Sequence, residues 1–209
     1  MKREPEFPMM TKILRPSEKG EAKLDYVTVS KELARFENMK NAWTPGGTIY
    51  DVEPGTYARL IVGDTLLMTD TPMERRTNTA FLRRANGRVL VAGLVLGMVL
   101  HGILAKPEVT HATVLEISQD VIDLIAPSLE KYRKRLTLIH AAALAWKLPK
   151  GETWDTIYFD IWPTVTEDNL EDVARLSRRF ARRLNRANPS AWMGAWMADH
   201  LRAMRRAYA

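Results

Sequence analysis

Three residues near the middle of the chain have the types and the spacing of a nucleoside-binding site. Gly93 and Gly97 follow a short apolar run, Val89–Ala92. Glu116 comes 23 residues after Gly93, at the end of a second β-branched run. Glycines after a strand allow a tight turn and close helix packing, and the helix N-terminus offers free N–H groups. A carboxylate placed about 20 residues farther on can accept hydrogen bonds from ribose hydroxyls. The pattern therefore predicts a βαβ unit that holds a nucleoside cofactor.

The same segment has two other interpretations. It could be a buried strand and helix without a ligand, because a glycine pattern alone is weakly specific. It could also cross a membrane, because Val89–Ala105 is 17 residues long with His101 as its only polar side chain, at the lower limit for a span. The two glycines near its middle and the 27% of charged residues in the chain argue against a span. We therefore expect no membrane association.

A second candidate for chemistry lies after another apolar run. Asp160 follows Thr156–Phe159 and precedes Ile161, Trp162 and Pro163. A carboxylate at a strand end can accept a hydrogen bond from an amine or take its proton, and a tryptophan face can hold a cation. We predict that Asp160 is catalytic and contacts the substrate, with Trp162 beside it. The alternative is an aspartate that caps the next turn and a tryptophan that covers the core.

Histidine and cysteine chemistry is less well supported. His140, at the end of a predicted strand, is either a general base or, as is more common, a structural hydrogen-bond partner. The other three histidines show no metal-ligand spacing, and the chain has no cysteine. No nucleophile elbow and no Gly-Lys-Ser/Thr phosphate loop occur. We expect no metal.

The elements that must position these residues alternate strictly. The predicted strands are Val89–Ala92, Thr110–Glu116, Leu136–His140 and Asp155–Phe159, and the predicted helices are Gly97–Lys106 and Gln119–Leu129, the latter capped by Ser118. Alternation of this kind predicts an α/β fold with a mostly parallel, doubly wound sheet covered on both faces. Ligands bind such sheets at the carboxyl ends of the strands, where the candidate residues fall.

The flanking segments divide the chain into two predicted units, residues 1–84 and residues 85–209. The first contains a loose arm (1–22), a short helix within Val27–Met39 with Ser30 as N-cap, a turn-rich stretch (41–47), a hairpin within Thr56–Thr69 that turns at Gly63, and a helix from Pro72 to Leu82. The second ends in a helix over Thr166–Arg186, a segment Ala191–Met197 that is either a fifth strand or the start of a helix, and a helix over Asp199–Ala209.

Composition limits the class of protein. A chain of 209 residues with 46% hydrophobic residues is typical of one globular domain with appendages, and the N-terminus lacks an apolar signal segment, so we expect a cytoplasmic protein. The net charge is +6, and Arg175–Arg206 carries nine arginines and one acid, Asp199. Nucleic acid is therefore a candidate partner, although a solvated helix face is favoured.

Together these pieces resemble the class I S-adenosylmethionine-dependent methyltransferases, and most of all their spermidine-synthase-like branch. The resemblance is carried by Val89–Gly97, Val114–Leu124 and Trp154–Pro163 and covers roughly residues 50–197. It implies a Rossmann-like methyltransferase fold and the cofactor S-adenosylmethionine, or its decarboxylated form. By this resemblance Gly93, Val95 and Gly97 border the methionine and ribose, Glu116 holds the ribose hydroxyls, Ile117 packs on the adenine, His140 and Ala142 flank it, and Asp160 faces the reacting amine.

The chain departs from the family pattern at several points. Val95 stands where the family usually has glycine, and Ala142 stands where an acid usually contacts the adenine amino group. The sheet is expected to be shortened at its C-terminal side, and an open edge would favour a homo-oligomer. The resemblance implies methylation of an amine-bearing small molecule. The alternatives are a cofactor-free binding or structural module, an aminopropyltransferase and a nucleic-acid methyltransferase.

Overall fold

A computed structural model describes residues 6–43 and 50–207 and arranges their strands in two sheets. The strands are β1 (Ser17–Lys19), β2 (Ala22–Val29), β3 (Gly55–Val62), β4 (Thr65–Thr69), β5 (Gly87–Ala92), β6 (Val109–Glu116), β7 (Leu136–His140), β8 (Thr156–Phe159) and β9 (Trp192–Ala195). The α-helices are α1 (Lys31–Asn41), α2 (Pro72–Arg84), α3 (Met98–Leu104), α4 (Gln119–Ile125), α5 (Asn169–Phe180) and α6 (Ala198–Ala207). Most of the turn-rich stretch predicted for residues 41–47 lies outside the described residues, as do the last two residues of the predicted C-terminal helix.

The larger sheet is parallel throughout, with the order β7-β6-β5-β8-β9. The chain starts at the central strand β5, moves outward through β6 to β7, and then crosses back to β8 and β9. The order therefore reverses between β5 and β8, which is the switch point where Rossmann-like sheets bind ligands. Residues Val89–Ala92 of β5 are completely buried, as expected for a central parallel strand covered on both faces. The predicted doubly wound α/β fold is confirmed.

The smaller sheet is antiparallel, with the order β1-β2-β3-β4. The predicted hairpin is its β3–β4 pair, and Gly63 has a φ of 55° in the turn, a left-handed conformation that suits glycine. The helix predicted from Pro72 starts there, with Thr71 as its N-cap residue. The hairpin thus leads through α2 into the central strand β5.

The prediction of a loose N-terminal arm is wrong for the described residues 6–22. Phe7, Met10 and Leu14 are buried in the main core. The Met10 N–H donates a 2.6 Å hydrogen bond to the carboxylate of Asp70, which is itself completely buried and also accepts from the Ala58 N–H at 2.7 Å. The arm is fixed because it supplies a donor to a buried charge far along the chain, a long-range contact that leaves no periodic pattern in the sequence.

Helix α1 begins at Lys31, directly after its predicted N-cap residue. Ser30 is its N-cap, as predicted, and its Oγ accepts a 3.1 Å hydrogen bond from the Leu33 N–H. The preceding residues Val27–Val29 complete strand β2 instead of entering the helix. The apolar side chains at helical spacing face outward, because Leu33, Phe36 and Met39 are 43%, 54% and 60% exposed.

Strand β7 has the predicted bounds, whereas the two helices predicted after β6 are shorter than expected. Helix α4 has Ser118 as its N-cap, as predicted, but ends at Ile125 and continues as a 3₁₀ helix over Ala126–Arg135, which contains Pro127. Proline has no N–H for an α-helical bond. The predicted helix over 166–186 is α5 followed by a 3₁₀ turn, Ala181–Arg183. Within the segment 191–197, Trp192–Ala195 form the edge strand β9, parallel to β8.

The carboxylate of Asp155 fixes the connection between α5 and β9. It accepts hydrogen bonds from the Arg88 N–H at 2.7 Å and from the side-chain amides of Asn185 and Asn188, each at 2.8 Å. Burial opposes the ionised form of Asp155, but these hydrogen bonds favour it and hold the pKa of Asp155 below its usual value.

None of the helices within residues 6–43 and 50–207 has the length and apolar character needed to cross a bilayer.

Candidate functional site

A cavity of about 230 Å³ lies at the carboxyl ends of the parallel strands. It is lined by the residues after β5, β6, β7 and β8, by β4 and α2 of the N-terminal unit, and by Trp196 after β9. Three carboxyl side chains line it, and no Lys, Arg or His is among the described residues that do. The remaining walls are largely apolar. The lining residues that later paragraphs use are Glu74, Gly93, Val95, Glu116, Ile117, Ala142, Asp160, Trp162 and Trp196.

Gly93 brings the ends of the two central strands together. Its φ is 101°, and a Cβ built on it would lie 1.9 Å from the backbone oxygen of Asp160. Its N–H donates to the Leu115 oxygen at 2.8 Å, while the Asp160 N–H donates to the Ala92 oxygen at 2.7 Å. Only glycine fits both the backbone conformation and the space, so Gly93 places Asp160 at the floor of the cavity.

Val95 adopts a backbone conformation that normally belongs to glycine. Its φ is 47°, one of two positive values among the non-glycine residues described. A β-branched residue in the left-handed region is strained, because its Cβ substituents crowd the backbone. The side chain lines the cavity. Val95 therefore combines local strain with a reduction of the space available to a ligand.

Glu116 ends β6 and is buried, with 7% of its surface exposed. One carboxylate oxygen accepts from the Leu94 N–H at 2.8 Å, and the other accepts from the Ser118 N–H at 2.9 Å. The side chain thus ties the loop after β5 to the N-terminus of α4. Each oxygen keeps further acceptor capacity, because a carboxylate oxygen has two lone pairs. Glu116 can therefore keep its hydrogen bonds to the Leu94 and Ser118 N–H groups and also accept a hydrogen bond from a hydroxyl group in the cavity.

Two of the predicted cofactor residues do not line the cavity. Gly97 has a φ of 71° before α3, and a Cβ there would come within 3.0 Å of Ile125, so this glycine serves helix packing. His140 is exposed, and its Nε2 lies 2.9 Å from the Ile117 oxygen, which suggests that it supports the loop rather than a ligand. By contrast Ile117, 70% exposed, and Ala142 both line the cavity.

Asp160 is 7% exposed, and its Oδ2 is buried without a hydrogen-bond partner among the described residues. Burial raises the pKa of this carboxyl to about 7. Trp162 also lines the cavity, and its indole N–H donates to Asp172 at 3.4 Å. An unpaired polar atom in a buried position costs free energy unless something occupies the space beside it. Asp160 is therefore positioned to bind a donor group or to accept a proton.

Glu74 is a cavity residue that the sequence interpretation missed. It occupies the third position of α2, where the sequence Thr71-x-x-Glu74 is that of a capping box and a negative charge favours the helix N-terminus. In the structure the Glu74 residue is instead buried, with 8% of its surface exposed, and no side-chain hydrogen bond is made at the cap. Burial, with the nearby Asp160 charge, raises the pKa of Glu74 to about 8. A first-turn glutamate next to a capping signal looks like a stabilising residue, so the sequence gives no sign of this role.

This burial gives a pH-dependent stability prediction. The folded pKa of Glu74 is about 8, above the ordinary value of 4.5, so the carboxyl destabilises the fold increasingly as pH rises from about 4.5 to about 8 and constantly above that range. We expect Glu74→Gln to raise the free energy of unfolding by about 2–4 kcal/mol at pH 9 and by almost nothing at pH 4.

Urea denaturation over this pH range measures the effect. Glu171→Gln is a matched control, because Glu171 is a first-turn glutamate of α5 that is exposed. A difference between Glu74→Gln and wild type that does not change with pH would contradict the assignment.

The arginine-rich segment lies on α5, α6 and their connections. Several of its arginines are engaged: Arg175 pairs with Asp172, Arg202 pairs with Asp199, and Arg179 donates to the Trp146 carbonyl. None of the nine arginines lines the cavity. Contact with nucleic acid and homo-oligomer formation both remain predictions.

Within the described part of the chain no cluster of His, Asp or Glu has the arrangement of a metal site.

No protein-family model and no curated protein matches the sequence. Solved structures with similar folds do exist. The N-methyltransferase NodS from Bradyrhizobium japonicum WM9 is 18% identical, with 56% of this chain and 65% of that chain covered and a TM-score of 0.40. The S-adenosylhomocysteine-bound methyltransferase PaMTH1 from Podospora anserina is 16% identical, with 76% and 60% covered and a TM-score of 0.43. Spermidine synthase from Thermotoga maritima is 17% identical, with 61% and 45% covered and a TM-score of 0.42. The chain thus spans about half to two thirds of the length of these structures.

Proposed function

We propose that the protein is an S-adenosylmethionine-dependent transferase that methylates an amine-bearing small molecule. The observation that carries this proposal is the Asp160 carboxyl, which is buried, has one oxygen without a partner among the described residues, and lines a cavity at the switch point of a Rossmann-like sheet. Such a position suits a group that orients an amine and removes its proton.

The residues around the cavity fit most of the cofactor. Glu116 has acceptor capacity for the ribose hydroxyls, Ile117 offers an exposed apolar side chain to the adenine, and Ala142 leaves space beside it. The volume of about 230 Å³ is slightly below the range of roughly 300–1,000 Å³ for ligand sites. Because Val95 takes part of the space, we expect weak rather than tight binding.

When bound, the cofactor supplies a sulfonium-linked methyl carbon, which passes to the acceptor nitrogen while the electron pair of the broken C–S bond stays on sulfur. The nitrogen must present a free lone pair, so an ammonium substrate has to lose a proton. The Asp160 carboxylate can take that proton, and its pKa of about 7 makes it a stronger base than an ordinary aspartate. Trp162 and Trp196 also line the cavity and supply aromatic surface to it.

Val95→Gly is expected to increase the affinity for S-adenosylhomocysteine by about three- to tenfold. The substitution removes side-chain volume from the cavity and removes the strain of a β-branched residue at a positive φ. Isothermal titration calorimetry measures the change. Val95→Ala separates the two causes, since it removes most of the volume and keeps a Cβ at the same φ. Equal affinity in all three proteins would place Val95 outside the ligand.

Glu116→Ala is expected to lower the affinity for methylthioadenosine by at least about tenfold, which corresponds to one or two lost hydrogen bonds to a charged group. Because this substitution also frees the N–H groups of Leu94 and Ser118, Glu116→Gln should be measured beside it. Glu108→Ala, at an exposed glutamate, is the control. Unchanged affinity in Glu116→Ala would remove this residue from the ribose.

One observation favours aminopropyl transfer as a second candidate. The cavity is lined by three carboxyls and by no Lys, Arg or His among the described residues, which suits a cofactor without a carboxylate better than S-adenosylmethionine itself. Preference for decarboxylated S-adenosylmethionine over S-adenosylmethionine in a binding competition would support this candidate.

The proposed activity is tested by incubating the purified protein with S-adenosylmethionine and a panel of amines, followed by mass spectrometry of the products. We expect a methylated amine and an equal amount of S-adenosylhomocysteine. Nucleoside binding without any product over a broad panel would favour a binding module. The absence of both binding and product would favour the cofactor-free alternative.

A further inference from the structure

Resting on the proposed function, we propose that Glu74 is a second substrate-facing carboxyl and that Glu74 and Asp160 together select an acceptor with an ammonium group on an apolar body. Glu74 belongs to α2, outside the parallel sheet, whereas Asp160 follows β8. The acceptor would thus be recognised jointly by the N-terminal unit and the Rossmann-like unit.

The first argument is the position of the Glu74 carboxyl. The local sequence offers it a cap on α2, yet no cap bond is made and the side chain lines the cavity. No described residue donates a hydrogen bond to this carboxyl or pairs with it, although the residue is only 8% exposed. A carboxyl buried in this way without a partner costs free energy, which a bound cation would offset.

The second argument is the convergence of the two carboxyls. Both line the same cavity, and Asp160 has a buried oxygen without a partner among the described residues. Burial, followed by the charges of Asp160 and Glu74, raises the pKa of Tyr158, the residue of β8 two positions before Asp160. The Tyr158 hydroxyl donates its hydrogen to Asn78 Oδ1 at 2.8 Å, so it does not donate to either carboxyl. Two carboxyls that lack a cation in one cavity make a site for a cation.

The third argument concerns the walls. Trp162 and Trp196 line the cavity, and the Trp196 indole N–H is bonded to Thr77 at 3.0 Å, so that its ring is held in place. Aromatic faces beside a cation add attraction, and Leu67 and Met68 supply further apolar surface. The chemistry therefore suits an amine attached to an aliphatic or aromatic group rather than a sugar or a nucleic acid.

Calorimetric titration with benzylamine and n-hexylamine tests this inference, with benzyl alcohol and n-hexanol as neutral analogues. We expect both amines to bind the wild type at millimolar concentration and to bind Glu74→Gln at least tenfold more weakly, with partial recovery in Glu74→Asp. The alcohols should bind both proteins equally or prefer the variant. Glu171→Gln, at the exposed first-turn glutamate of α5, should behave as wild type.

Failure of this inference can be separated from failure of the proposed function. Methylthioadenosine binding is measured on the same samples, and thermal unfolding shows that Glu74→Gln is folded. Loss of amine affinity with nucleoside affinity retained supports both. Selective amine binding without nucleoside binding supports the carboxyl pair and contradicts the transferase. Equal amine affinity in Glu74→Gln and wild type, or no amine binding to wild type, overturns the inference.

Discussion

Asp160→Asn is expected to reduce the turnover number for amine methylation by about 10²–10⁴-fold, the usual contribution of a positioned general base. The substitution keeps the shape of the side chain and the backbone bond from the Asp160 N–H to Ala92. It removes the only group of this residue that can take a proton. Affinity for S-adenosylhomocysteine should therefore change by less than about threefold, because binding and proton removal are separate functions.

The pH dependence of the wild type provides a second check on the same residue. The carboxylate form is required, so the rate should rise with pH through the region near 7 and level off above the titration of the carboxyl pair. Asp168→Asn is the control, because Asp168 is exposed and does not line the cavity. Persistent turnover in Asp160→Asn with an unchanged pH profile would contradict the assignment of the base.

Gly93→Ala is expected to prevent folding or to cost more than about 4 kcal/mol in free energy of unfolding. The added Cβ would lie 1.9 Å from the Asp160 oxygen, a backbone atom that cannot move without disturbing the junction of β5 and β8, and the φ of 101° is itself unfavourable for alanine. Urea denaturation measures the loss.

A matched control separates the close contact from the backbone conformation. Gly151 has a φ of 80°, and a Cβ added to it would have no atom within 4 Å, so Gly151→Ala should cost only about 1–2 kcal/mol. If the two alanine variants were equally stable, the close approach between Gly93 and Asp160 would not be a constraint on the fold.

The parts of the fold that were predictable from sequence depend on local signals. Alternating apolar runs and helical segments indicated the parallel sheet, since each run has to be buried on both faces. Ser30 and Ser118 were identified as N-caps because the bonded N–H lies only three residues away in each case. The positions of Glu116 and Asp160 at strand ends followed from the same pattern, and the topology brings both to one cavity.

The parts that were missed depend on contacts between distant segments. Residues 6–22 of the N-terminal arm are held against the core because the Met10 N–H binds Asp70, 60 residues away, and no local sequence pattern near either residue indicates that pairing. Glu74 lies in the first turn of α2, where an acidic residue stabilises the positive end of a helix, so its position in the sequence indicates no role in the cavity. It lines the cavity together with residues that lie far away in the sequence, including Asp160.

Val95 shows how a sequence departure acquires physical meaning from the structure. The resemblance marked this position as one where glycine is usual, and the backbone here keeps the positive φ that favours glycine. Val95 therefore adopts a turn conformation that glycine would adopt without strain. The affinity of Val95→Gly for S-adenosylhomocysteine will show how much the strain and the reduced cavity volume weaken binding.

The most direct test of the central proposal is calorimetric titration of the purified protein with S-adenosylmethionine, S-adenosylhomocysteine and methylthioadenosine. The proposal predicts saturable binding of at least one of them with one site per chain, weakened by Glu116→Ala and strengthened by Val95→Gly. The absence of binding of all three ligands at millimolar concentration, to wild type and to Val95→Gly alike, would contradict it.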